Sequence, residues 1–244
     1  MSDAPASTGD ASPDRQPIWS RPERGSRGPA PAHSRDAIVA AAIALADAEG
    51  LAAVSMRAVA AALGTGAGSL YRYLTSRDDL LDLMADRAVG ELRPYPQVED
   101  DWLETMVLLG RRQLALFGTH PWLLDVIHRP SGIGPEGLAW FDNCIRVLEP
   151  VRCPVAAKFE AIAMMTGVVS LFARRESAAG AFRFAGVDPA AYPYLVAAFS
   201  QPSGPAPRAD LVERTLRSLL TGLLIDKDAA DQLAELSEEQ DEAE

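Results

Sequence analysis

The chain is poor in cysteine, histidine and aromatic side chains. Two cysteines among 244 residues, Cys144 and Cys153, are too few for a disulfide framework, and no CxxC or Cys/His cluster offers metal-ligand spacing. Three histidines, no HExxH and no GxSxG leave acid–base or covalent catalysis without evident players. β-Branched runs are scarce, and the apolar residues are mostly Ala and Leu, which favours helices over sheets. No window approaches the roughly 18 consecutive apolar residues of a membrane span. The N-terminal stretch lacks the apolar core of a secretory signal. These absences predict an all-α, cytoplasmic protein that is not an enzyme, carries no metal or cofactor and has no membrane partner.

Hydrophobic residues make up 48% of the chain, enough for one or two buried cores. The net charge of −11 argues at first against nucleic acid, but its distribution reverses that. Residues 226–244 hold nine acids and one lysine, whereas Val54 to Arg77 holds three arginines and no acid. Screening is nearly complete beyond about 10 Å, so the local cations matter more to a DNA phosphate than the distant total.

Residues 1–32 are rich in Pro, Ser, Gly and Ala and are expected to form a disordered arm. Arg15, Arg21, Arg24 and Arg27 fit a solubilising tail better than a basic arm reaching a DNA groove. Order begins at Ser34, which can cap a helix carrying Ile38, Ala41, Ala42 and Leu45 and stopping at Gly50. A short helix follows from Ser55 to Gly64, and a third runs to about Tyr73. Ser76 opens a fourth, with Asp78 and Asp79 in the first turn, where the helix dipole favours anions. The expected divisions are a head at 33–93, a larger helical domain at 94–225 and an acidic tail at 226–244.

The most specific stretch is LGTGAGSLYRYL, Leu63 to Leu74. A dinucleotide fingerprint needs GxGxxG after a strand, but these glycines are spaced GxGxG and follow a helix former. No Lys-Ser/Thr follows them, so a phosphate-binding P-loop fails as well. A corner between two helices explains more. Gly64 can take the left-handed conformation that ends one helix and turns the chain into the next. Ala67, Gly68 and Ser69 keep the next helix slim enough to approach base edges, and Tyr71, Arg72 and Tyr73 offer donors to a sugar-phosphate backbone. The pattern predicts a helix-turn-helix.

From Ser34 to about Leu92 the sequence resembles the Tet repressor (TetR) family of one-component bacterial regulators. The resemblance lies in the first helix, the EG that follows it, an apolar-Ser-x-Arg start, an AxxLG turn, and SLYRY before a Ser-Arg-Asp-Asp-Leu-Leu helix. It implies an all-α homodimer in which a three-helix head binds double-stranded DNA at a palindromic operator. A fourth helix would join that head to a ligand-binding and dimerisation domain that receives a small-molecule effector. By the same resemblance, Ser55 and Arg57 serve the second helix, Ala67, Gly68 and Ser69 form the reading face, and Tyr71, Arg72, Tyr73 and Arg77 anchor the backbone. The tetracycline-binding members have a histidine near the end of the fourth helix where this chain has Arg93, so a magnesium–tetracycline ligand is not supported.

In the second domain, His120 and His128 lie eight residues apart, with Trp122, Trp140 and Asn143 near in sequence. Two readings stand. Either these five residues contribute to an apolar effector pocket with a few polar groups, or the aromatics fill a core and the histidines sit at its rim. Met164, Met165 and Phe172 read as core or dimer contact. A helical adaptor binding only protein is the alternative to a regulator, but it would not need an acid-free stretch of Arg and Tyr around a tight turn.

Overall fold

The computed structural model describes residues 18–20, 33–97, 101–129, 132–177, 191–200 and 210–225. The acidic tail, and the arm apart from Ile18–Ser20, lie outside the described residues. Among the described residues the regular structure is all helical. The helices are α1 (Arg35–Glu49), α2 (Met56–Ala62), α3 (Ala67–Leu70), α4 (Arg77–Gly90), α5 (Trp102–Thr119), α6 (Leu123–Val126), α7 (Pro135–Val147), α8 (Val155–Ser177), α9 (Pro193–Ser200) and α10 (Leu211–Leu224).

The first, second and fourth helices start where serines can cap them. Ser34, Ser55 and Ser76 each accept, through Oγ, the backbone N–H three residues on, all at 3.1 Å. Each such cap contributes about 1 kcal/mol. Asp79 completes the start of α4: its buried carboxylate accepts the Thr75 N–H at 2.8 Å and also the Thr75 hydroxyl. α1 stops at Gly50, whose φ of +83° suits a residue without Cβ.

The chain forms two compact units. One holds the described residues up to Tyr95 together with Ala115–Asn143. Its core includes Ile38, Val59, Leu70, Leu80, Met84 and Phe117, all essentially fully buried. α1 packs on α2 and α4, and α4 packs on α6. Ile18–Ser20, inside the stretch expected to be disordered, forms one 3-10 turn against α4 with Ile18 buried.

The other unit holds Pro96–Leu114 and the described residues from Cys144 onward. There α8 packs along α10, burying Ile162, Met165 and Val169 together with Leu216, Leu220 and Leu224. Gly110 of α5 admits them closely, because a Cβ on it would stand 2.6 Å from Leu216 Cδ1. α8 has a second apolar face: Val155, Phe159, Ala163, Gly167 and Leu171 recur every four residues and are all exposed, Leu171 by 61%. By length and composition Val155–Arg174 is apolar enough to cross a membrane, although Lys158 and Glu160 interrupt its apolar run. Met165 is core, as the spacing predicts, whereas Met164 is exposed.

Candidate nucleic-acid interface

The glycine corner is a helix ending, not a phosphate cradle. At the end of α2 the Gly64 N–H donates to the Ala61 carbonyl at 3.0 Å, and the Thr65 N–H to the Ala60 carbonyl at 2.9 Å. This crossed pair, with Gly64 at φ +67°, is a Schellman cap and satisfies two carbonyls the helix would otherwise leave open. The chain then re-enters a helix at Ala67, and Leu70 plugs the turn into the core with no exposure. α2 and α3 pack directly on each other.

The side chains the sequence singles out lie around that corner. Ser55 is the cap of α2, and Arg57 stands exposed in its first turn. On α3, Gly68 is exposed and Ala67 and Ser69 are half-buried. The Ser69 hydroxyl donates to the Gly66 carbonyl at 2.7 Å and lies 2.9 Å from the Thr65 hydroxyl. Thr65 therefore joins this surface; lying between two glycines, it is easily read as mere turn. Tyr71 is 54% exposed, Arg72 is exposed and Tyr73 is half-buried.

Arg77 has a second employment. Its Nε donates to the Val54 carbonyl at 2.8 Å and an Nη to the Leu51 carbonyl at 3.1 Å. It thus fastens the start of α4 to the link between α1 and α2, using two of the five guanidinium donors.

The five residues named for an effector differ in their surroundings. His120 is buried between two carboxylates, with Nδ1 2.7 Å from Asp47 Oδ1 and Nε2 3.1 Å from Glu91 Oε2. The Trp122 indole N–H donates to the same Asp47 oxygen at 2.6 Å. His128 is exposed. Trp140 and Asn143 are buried on α7, and the Trp140 ring lies tilted against Tyr95, with centroids 6.1 Å apart. Among the described residues the buried Trp140 Nε1 has no hydrogen-bond partner. In the second unit, buried Gln113 donates to the Thr166 hydroxyl at 3.2 Å while its Oε1 meets no hydrogen-bond partner among the described residues. Sequence reasoning passes over Gln113, because a single glutamine within an apolar helix carries no spacing signal.

Burial lowers the imidazole pKa of His120, but the hydrogen bonds to Asp47 and Glu91 and their charges outweigh it and hold the ring above its ordinary value. Burial alone pushes the Cys144 thiol up to about 12, which makes it an inert core group. A groove of about 580 Å³ in the second unit is flanked by Asp101, Glu104, Arg111, Glu213 and Arg217. Arg111 pairs there with Glu213 at 3.0 Å and Arg217 with Glu104, so its charges are already satisfied.

A short helix, a Schellman turn and a second helix with small residues at its start, edged by Arg and Tyr, define a helix-turn-helix protein. Residues 38–84 match the bacterial regulatory proteins of the tetR family, and residues 95–224 match the tetracyclin repressor-like C-terminal domain. The chain belongs to the TetR family, whose members are regulatory proteins rather than enzymes. It is 37% identical over 170 residues to the HTH-type transcriptional repressor DrrR1 of Streptomyces coeruleorubidus, covering 69% of this chain and 63% of that protein. The chain thus spans under two thirds of that relative's length. Apo ActR of Streptomyces coelicolor is similar with a TM-score of 0.67 and 26% identity, over 83% of this chain and all of that one. ActR in complex with actinorhodin is similar at 0.65, also at 26% identity, over 79% of this chain and 97% of that one.

Proposed function

We propose that the protein is a ligand-responsive transcriptional repressor that binds a palindromic DNA operator as a homodimer and is released by a small apolar or aromatic molecule. The observation that carries this reading is the Schellman corner at Gly64, with Arg57, Gly68, Tyr71 and Arg72 exposed around it. Ala67, Gly68 and Ser69 read the major groove, where a helix N-terminus with little side chain can come close. Ser55, Arg57, Tyr71, Arg72, Tyr73 and Arg77 take phosphates, which fix register without reading sequence. Such a regulator acts in the cytoplasm.

One head makes too few base contacts for a useful site, so two act together on half-sites about 34 Å apart. The exposed stripe of α8, with Leu223 of α10, is the surface we assign to the second copy. That assignment accounts for a helix apolar on two sides without invoking a membrane.

The effector reading rests on Trp140 and Asn143, buried on α7, and on the Trp140 indole N–H, which has no acceptor among the described residues and which an acceptor on a ligand would satisfy. Structures of ActR, at 26% identity, include complexes with actinorhodin and with (S)-DNPA, which supports a small-molecule effector here. His120 and Trp122 already spend their polar atoms on Asp47 and Glu91, and exposed His128 is left at most a rim position. A mobility-shift titration with sheared genomic DNA at two salt concentrations tests the reading. Binding that weakens with salt yet keeps a preference for particular fragments supports it, and salt-independent or absent binding contradicts it.

A further inference from the structure

His120 sits immediately beyond α5 and is only 4% exposed, yet both of its ring nitrogens face carboxylate oxygens. A neutral imidazole has one donor and one acceptor, so one of those contacts would set a lone pair against a carboxylate. The imidazolium donates to both. The two carboxylates come from different places: Asp47 is in the last turn of α1, and Glu91 follows the last residue of α4. Trp122 adds its indole N–H to Asp47 and tilts its ring against the imidazole at 5.7 Å. Among the described residues, Asp47 and Glu91 are the ionisable groups that meet the ring.

α1 and α4 are the frame of the head. α1 packs on both α2 and α4, and Arg77 at the start of α4 is tied to the link leading into α2. His120 adds a tie at the far end of α4, from Glu91 to Asp47 in the last turn of α1. We propose that protonated His120 is a positioning residue for DNA binding, a cationic clamp joining the ends of α1 and α4, whose loss of a proton loosens the head and weakens operator affinity. The proposal rests on the DNA-binding reading above. Other links onto α4 do not depend on this proton: Arg87 donates to the Asp36 carbonyl of α1 at 3.1 Å, Arg129 pairs with Asp78, and Asp86 accepts the Glu136 and Gly137 N–H groups at 2.9 and 3.0 Å. Deprotonation therefore removes one tie and leaves the unit folded.

The sign follows from linkage. A histidine whose pKa is raised on folding stabilises fully below its unfolded value of about 6.5, and that contribution is lost as pH rises through the folded value. The Asp47 and Glu91 carboxylates then face each other across a neutral ring. Operator affinity should thus be highest on the acidic side of neutrality and decline above it.

The test uses the full chain and a duplex that it selects from a random-sequence DNA pool at pH 6.5. Affinity for that duplex is measured from pH 6 to 9 at fixed ionic strength. In parallel, proton NMR follows the three histidines, with His120→Gln and His128→Gln assigning the signals. The expected result is a His120 titration above the ordinary imidazole range and a fall in affinity of roughly tenfold across it, the scale of modest coupling between sites. His120→Gln and Asp47→Asn should each flatten that step while leaving the salt dependence unchanged, since no phosphate contact is touched. Should His120→Gln fail to fold, Glu91→Gln carries the same expectation. A His120 that titrates at or below the ordinary value, or a pH profile shared by wild type and variants, overturns the proposal. A wild-type chain that selects no duplex at all removes the DNA reading and this one with it; a selected duplex with a flat pH profile removes this one alone.

Discussion

The Arg77 side chain donates from Nε to the carbonyl of Val54 at 2.8 Å, across a separation of 23 residues. The residue named from sequence as a phosphate anchor is therefore also the strut that holds α4 to the link before α2. Arg77→Ala should lower stability by about 1–3 kcal/mol, because two carbonyls lose charged donors, and should weaken DNA binding as well. Arg77→Lys keeps the charge but lacks the fork, so it should recover the salt slope without recovering the stability. Chemical denaturation and salt-dependent DNA binding on both variants check this; wild-type stability in either variant would contradict the strut.

Arg72 offers the cleaner test of phosphate contact, being exposed and holding no carbonyl among the described residues. Arg72→Ala should reduce affinity by a similar factor for all sequences and lower the salt slope by about one, with stability unchanged. Gly68→Val should instead impair the preference among sequences, because a Cβ there meets only open space and the fold tolerates it. Binding curves on a selected and a scrambled duplex separate the two effects.

At Gly64 the left-handed φ makes any other residue strained. Gly64→Ala should cost about 1–2 kcal/mol and lower affinity through the corner's geometry. Gly134 is intolerant for a different reason: a Cβ on it would fall 2.2 Å from Asp86 Oδ1 and 2.9 Å from Asp86 Cβ. Gly134→Ala should destabilise by about 1–3 kcal/mol, the usual scale of overpacking. Because the same aspartate caps α7, Asp86→Ala and Gly134→Ala should be strongly non-additive, which a double-mutant cycle reads.

Leu171 and Phe159 lie on the exposed face of α8 assigned to the second copy. Leu171→Glu together with Phe159→Glu should give a folded monomer by light scattering, since neither side chain belongs to the core of its own chain. Operator affinity should fall at least a hundredfold, as one head loses the other. A monomer that binds the operator as well as wild type would contradict the pairing.

How much of this could be read from the sequence depended on distance along the chain. The head was legible because its signals are local. Ser34, Ser55 and Ser76 each cap an N–H three residues away, and Gly64 ends α2 through bonds to Ala60 and Ala61. His120 and Trp122 resisted, since Asp47 lies 73 and 75 residues from them and no spacing rule connects those positions. Arg77 resisted in part for the same reason. Ile18 was hidden by its neighbours, a single large apolar residue and a tryptophan in a polar, proline-rich stretch. On α8 the apolar period told that the helix packs, but only the structure separated Met165, which is buried, from Met164, which is not.

The central claim is that the corner at Gly64 reads DNA, in pairs. The most direct measurement is selection of bound fragments from genomic DNA, followed by sequencing and footprinting of the enriched sites with wild type and Arg72→Ala. The account predicts an inverted repeat whose half-sites are centred about 34 Å apart, occupied by two chains and lost uniformly with Arg72→Ala. Enrichment of no common sequence, or a site without two-fold symmetry occupied by one chain, would contradict it.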